Sequence, residues 1–216
     1  MSQSDPTSIP TGLLPSRATA DGTLRRLQEA ALVLFSERGF HGVSVREIAA
    51  AVGVRASSLY SHLTSKEQLL ADLMLMGHEE QRDGLRRALL DAGIEPADQI
   101  RALARSHVAF HANYSLLARV SNRELAALAP ASRERVLAVR NDAVQIMSDV
   151  VERGHRLGVF DAPEPWLAVA AVAAMGLRVA EWWDAQDHNF TVEQVAERYA
   201  QFAVRLLTPA PPTRRR

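Results

Sequence analysis

Apolar residues fall in helical stripes along nearly the whole chain. Leu24, Leu27, Ala31, Leu34 and Phe35 share one face of a helix that Gly39 stops. Val45, Ile48, Ala49 and Val52 recur at i, i+3, i+4 and i+7, and Ser44 with Glu47 has the spacing of a capping box, so a short helix runs from there to Gly53. A third short helix turns Leu59 and Leu63 inward. Ser65 with Gln68 is a second capping box, and a longer helix begins at Lys66, runs to about Asp91 and closes near Gly93. Further helices are expected at roughly 98–112, 115–128, 131–157, 164–184 and 192–207, punctuated by Pro130, Gly158, Pro163 and Thr191. Thr191 with Gln194 is a third box. Strand-like alternation is nearly missing and no internal repeat is visible. The pattern predicts an all-α chain of three short helices (22–68) and six longer ones (69–207), between a disordered arm (1–21) and a disordered tail (208–216).

Composition narrows this little. With 216 residues, 47% of them apolar, the chain can bury a sizeable core. Charges balance at 25 against 25, which neither announces nor excludes nucleic acid, because a binding face can be basic on a neutral protein. Cysteine is absent, which excludes disulfides and thiolate metal sites. The first twenty residues are polar and proline-bearing, unlike a secretory signal, and the apolar run 166–177 is too short to span a bilayer. A cytoplasmic protein without membrane attachment is expected.

The segment GVRASSLYSHLTSKEQLL (53–70) carries the first functional reading. A short helix, a glycine turn and a second short helix describe a helix-turn-helix, whose second helix enters the major groove by its N-terminal end. Here that end is Arg55, Ala56, Ser57 and Ser58. Small side chains let the backbone approach base edges, and the helix N-terminus offers free amides to phosphate. With Leu59 and Leu63 inward, Tyr60, Ser61 and His62 face the groove walls, where a phenol and an imidazole donate to phosphate. Lys66, the only lysine, adds a point charge at the same strand. Thr23, Ser44 and Arg46 are further backbone contacts by position. Arg55 reads as a guanine contact or, equally, as a phosphate clamp.

Residues 23–70 resemble the N-terminal domain of the TetR family of bacterial repressors. The family pattern FxxxGF, then T/S-V-x-x-I-A-x-x-x-G-V, then L-Y-x-H-F-x-x-K-x-x-L is met at Phe35, Gly39, Phe40, Ser44, Val45, Ile48, Ala49, Gly53, Val54, Leu59, Tyr60, His62, Lys66 and Leu69. It is broken at Leu63, where the family has Phe, a swap between buried apolar residues. The resemblance implies a homodimer on a palindromic double-stranded DNA operator, released when a small molecule fills the C-terminal domain. It assigns Tyr60, His62 and Lys66 to phosphate and positions 55–58 to bases.

In the C-terminal part, SHVAFHANYSLLARVSNREL (106–125) holds the candidate effector chemistry. His107 and His111 stand four apart on one helix face. That spacing suits a metal pair, but no third ligand stands at a diagnostic spacing and no glutamate follows as in zinc hydrolases, so paired core or pocket histidines are the expectation. Phe110, Tyr114, Leu117, Val120 and Asn122, with Met147, Val151 and Met175 from later helices, are the candidate lining of an apolar cavity with few polar groups. A plain core with charges reaching outward reads the same sequence. The stretch is similar to the ligand domains of actinobacterial TetR-type regulators of steroid and fatty-acid breakdown, which implies a lipophilic effector of the acyl-CoA class.

Ala170, Ala174, Trp182 and Trp183, with Phe202 and Leu206, are the candidate dimer interface, where small residues permit close helix approach and large ones anchor. No cofactor, metal or catalytic residue is assigned. The expected function is a DNA-binding transcriptional repressor. The rivals are a helical lipid-binding carrier that does not touch DNA, and a helical enzyme using His107, His111 or His155.

Overall fold

The computed structural model describes residues 13–16, 22–55, 64–184 and 189–209. Among these the chain is helical throughout, with no strand. We number the helices α1 (Gly22–Arg38), α2 (Val45–Ala51), α3 (Lys66–Asp91), α4 (Pro96–Asn113), α5 (Ser115–Arg123), α6 (Pro130–Arg156), α7 (Pro165–Trp182) and α8 (Val192–Leu207), with a 3-10 turn at Leu125–Ala127. The third short helix of the sequence reading falls on 56–63, outside the described residues.

The chain divides into two compact units, one formed by residues 1–80 and 116–139, the other by 81–115 and 140–216. The boundary differs from the expected division at 68/69, because α5 and the start of α6 belong with the N-terminal helices.

In the first unit α1 buries Leu27, Ala31, Leu32 and Phe35. It stops where the Gly39 amide donates to Phe35 O (2.9 Å) with Gly39 at φ +70°, a left-handed conformation natural to glycine. Arg26 Nη2 donates to Val52 O (2.8 Å), tying α1 to the end of α2. The expected disordered arm contains an ordered anchor. Leu14 is 3% exposed and its carbonyl accepts from Arg25 Nη2, because an apolar side chain ahead of α1 finds a core to enter.

In the second unit α4 packs against α7 and α8. Leu85, Ile100, Leu103, Val150, Val151, Phe160 and Val172 build the core between them. Gly154 exists as glycine because the Phe160 ring fills its side-chain space, a built Cβ meeting Cδ2 at 2.1 Å. The Asp161 amide donates to Leu207 O (2.7 Å), fastening the α6–α7 connection to the end of α8.

Capping boxes form at Ser44/Glu47 and Thr191/Gln194 with both reciprocal bonds. The one expected at Ser65/Gln68 is half made. The Gln68 amide donates to Ser65 Oγ (2.9 Å), but the Gln68 side chain turns forward and donates to Asp72 Oδ1 (2.7 Å). The helix expected over 115–128 also ends early. After Arg123 the bonds tighten to Ala127 N–Glu124 O and Leu128 N–Leu125 O, the i to i+3 pattern of a 3-10 turn, before Pro130 opens α6.

Candidate functional site

The DNA-facing candidates divide by what their donors already do. Arg46, on α2, and Arg55, beyond Gly53, are exposed, and no ion pair among the described residues engages either. Thr23 lies half-buried in the first turn of α1. Ala56, Ser57, Ser58, Tyr60, Ser61 and His62 lie outside the described residues.

Ser44 turns its donors to its own helix. Its hydroxyl donates to Glu47 Oε2 (2.6 Å) and its amide donates to the same oxygen (2.7 Å), so both donors serve the α2 cap. Arg38 Nη1 reaches Glu47 Oε1 (2.9 Å). The Ser44 hydroxyl foremost, then its amide and the Arg38 guanidinium, hold the Glu47 carboxyl down at about 2.

Lys66 is also engaged. Its ammonium donates to Phe40 O (2.8 Å) and Val43 O (2.6 Å) and stands 4.1 Å from the centroid of the Phe40 ring. Two of its three donors therefore serve the α1–α2 turn.

The effector candidates divide between the two units. In the second unit His107 is buried and bridges two neighbouring helices. Its Nδ1 accepts from Gln81 Nε2 (2.8 Å) and its Nε2 faces Ala173 O at 3.0 Å. A carbonyl only accepts, so the proton sits on Nε2 and the ring is neutral. Burial, opposed by the Ala173 bond, pushes its pKa below the ordinary value. His111 Nδ1 donates to His107 O (2.8 Å), and the two rings lie 4.4 Å apart. The pair is a packed polar seam. Among the described residues no cluster of three or more His, Asp or Glu could hold a metal ion. Phe110 is buried against His111 and Tyr114, while Met147 and Val151 sit in the core beside Leu103 and Phe160, with Met175 packed at its edge.

In the first unit Leu117 and Val120 are fully buried. Asn122, the expected polar group, turns its amide back onto Ala118 O (2.7 Å). Among the described residues of this unit, the buried polar atoms without a hydrogen-bond partner are instead Gln28 Oε1 on α1, and on α5 Arg119 Nε and Ser121 Oγ, the last in a residue only 4% exposed. Ser121 fits because Gly77 on α3 has no side chain, a built Cβ there meeting Oγ at 2.8 Å. The sequence signal for Ser121 was its place one turn from Leu117 on the buried stripe of α5. A groove of about 500 Å³ beside Ala88, Asp98, Arg101 and Arg105 is lined by none of the expected effector residues.

On the dimer candidates, Ala170, Ala174, Phe202 and Leu206 are exposed on α7 and α8. Trp166 and Leu167, which the sequence reading passed over, extend the same exposed apolar surface. Trp183 and Trp182 differ. Trp183 is 8% exposed and packs with Val179, Val195 and Ala196, whereas Trp182 is 42% exposed. Consecutive helical positions point about 100° apart, so one indole turns in and its neighbour out.

Among the described residues no helix is long and apolar enough to cross a membrane.

Residues 27–73 match the family described as bacterial regulatory proteins, tetR family, and residues 93–207 match the tetracyclin repressor-like C-terminal domain. The transcriptional repressor KstR2 of Rhodococcus jostii is 29% identical over 184 residues, covering 82% of this chain and 87% of that protein. The repressor DrrR1 of Streptomyces coeruleorubidus is 32% identical over 186 residues, covering 82% and 66%. The structure of AibR in complex with isovaleryl coenzyme A and operator DNA superposes with a TM-score of 0.74 at 25% identity, over 83% of this chain and 96% of that one. The ketosteroid regulator KstR2 of Mycobacterium tuberculosis has the same fold, with a TM-score of 0.81 at 20% identity, over 91% and 100%. A helix-turn-helix segment ahead of a helical C-terminal domain, matched in both parts, identifies the chain as a DNA-binding transcriptional regulator belonging to the TetR family.

Proposed function

We propose that the protein is a dimeric repressor of a palindromic operator, released by an acyl-CoA thioester, and that it carries out no catalysis. The observation that supports the effector class is the likeness, at 25% identity over 83% of the chain, to a regulator bound to both isovaleryl coenzyme A and operator DNA. In this chain, the buried Ser121 hydroxyl and Arg119 Nε offer polar groups that an effector can satisfy. Positions 55–58 contribute the base readers, with Tyr60 and His62 on phosphates. The exposed surface of Trp166, Ala170, Ala174, Phe202 and Leu206 supplies the dimer contact, which a second copy buries around a twofold axis. Effector and operator weaken each other reciprocally, by as much as the effector's preference for one conformer.

The test begins with duplexes that the full-length protein selects from a random pool. The expected product is a palindrome whose affinity falls steeply with salt. Isovaleryl-CoA and longer acyl-CoA thioesters are then added, with free CoA and the free acids as controls. Release by a thioester and not by free CoA is expected. If no thioester in the series releases the duplex, the effector class is wrong. If no duplex is selected, the operator reading is wrong.

A further inference from the structure

Lys66 and Glu67 are the first two residues of α3, and their side chains hold two different parts of the first unit. The Lys66 ammonium donates to Phe40 O and Val43 O, the two carbonyls that bracket the α1–α2 turn, and stands over the Phe40 ring. Phe40 is itself buried against Phe35, its ring 5.5 Å away. Glu67 Oε1 accepts from the Ala129 amide (3.0 Å), at the residue just ahead of α6. A carboxylate there also faces the positive end of α6. The start of α3 is thus held on one side to the turn that leads into α2, and on the other to the foot of α6.

Residues 56–63 lie between these fixed points in sequence. Upstream, α2 is held by Arg26 on Val52 O. Downstream, the chain enters α3 at Lys66. With two of its three donors on carbonyls, the ammonium is held toward the turn. Charge-assisted bonds of this kind, here part-buried, are stronger than neutral ones.

We propose that Lys66 and Glu67 are positioning residues for DNA reading: Lys66 clamps the α1–α2 turn rather than a DNA strand, and Glu67 joins that clamp to the start of α6. A shift at the foot of α6 then reaches the reading segment through two adjacent side chains. This deepens the operator reading above and rests on it for the role of 56–63.

The test uses the full-length protein and the duplex selected by the wild type. Lys66→Met keeps the aliphatic stem and removes the charge. Glu67→Gln keeps an acceptor for the Ala129 amide, and Glu67→Ala does not. Lys66→Met is expected to weaken binding about ten-fold or more, the scale of a lost charge-assisted bond. The dependence of log affinity on log salt is expected to stay as in the wild type, and the amides of residues 40–44 to exchange hydrogen faster. Glu67→Ala should weaken binding, while Glu67→Gln stays close to wild type. A salt slope shallower by about 0.9, the share of one phosphate, would return Lys66 to the strand and overturn the proposal. Unchanged hydrogen exchange in Lys66→Met overturns it too, and that measurement needs no DNA, so it stands even if the wild type selects no duplex. Equal binding by Glu67→Ala and the wild type overturns the link to α6.

Discussion

The His107 imidazole occupies the space that a side chain at Gly176 would need. A Cβ built on Gly176 meets His107 Cδ2 at 2.1 Å and Nε2 at 2.4 Å. The ring has nowhere to retreat, because Gln81 and Ala173 hold its two nitrogens. Gly176→Ala therefore overpacks the α4–α7 contact or breaks the His107 bridge. The expected destabilisation is about 1–3 kcal/mol, the usual range for an added methylene-sized group in a packed core. A urea unfolding midpoint unchanged from the wild type would refute it.

The same bridge makes stability depend on pH in a stated direction. Burial keeps His107 neutral in the fold, while the unfolded ring takes up a proton as pH falls through its ordinary value of 6.5. The folded pKa is lowered, so stability is full above that value and is lost as pH drops below it. His107→Gln cannot titrate. The stability gap between wild type and His107→Gln should narrow from pH 8 to pH 5, measured by denaturant unfolding in matched buffers. A gap that widens toward acid would show that the ring is charged in the fold.

Elements set by local chemistry were legible in the sequence, and those set by distant partners were not. The boundaries of α3, α6, α7 and α8 follow from caps, glycines and prolines within a turn of each end, and all fell within two residues of expectation. The half-made cap at Ser65 already shows the limit. Gln68 had the right spacing, yet Asp72, one turn ahead, took its side chain. Lys66 shows it more plainly. Its partners are the carbonyls of Phe40 and Val43, which no periodicity links to it, so its charge and position, like the family pattern, suggested only a strand contact. The burial of Trp183 was readable. Trp183 continues the buried series Val172, Gly176 and Val179 at helical spacing, whereas Trp182 lies off that stripe.

Glu47 makes a second pH prediction. The Ser44 hydroxyl, the Ser44 amide and Arg38 lower its pKa from 4.5 to about 2. A carboxyl with a lowered folded pKa stabilises the fold above its unfolded value, and that contribution is lost as pH falls through the folded one. The stability difference between wild type and Glu47→Gln should be constant above about pH 5 and shrink toward pH 2. A carboxyl resonance of Glu47 that titrates near 4.5 would mean that the cap does not form in solution.

Trp183, at the end of α7, and the Phe202–Leu206 pair on α8 should separate folding from association. Trp183 lies within the second unit's own core, so Trp183→Ala leaves a cavity among Val179, Val195 and Ala196. The expected cost is about 3–5 kcal/mol of stability, as for other large-to-small changes in packed cores. Phe202 and Leu206 are about half exposed, at 48% and 54%, and are one turn apart on α8. Phe202→Glu and Leu206→Glu place charges where a second copy would bury them, and an unpaired buried charge opposes association strongly. Neither position supports the core, so the folded protomer should unfold at nearly the wild-type denaturant concentration once both proteins are compared as monomers. Sedimentation velocity should show a dimer for the wild type, and monomer for the two charged variants at the same concentration. If both charged variants remain dimeric, the copies meet through a different surface, and Ala170, Ala174 and Trp166 lose their proposed role with them.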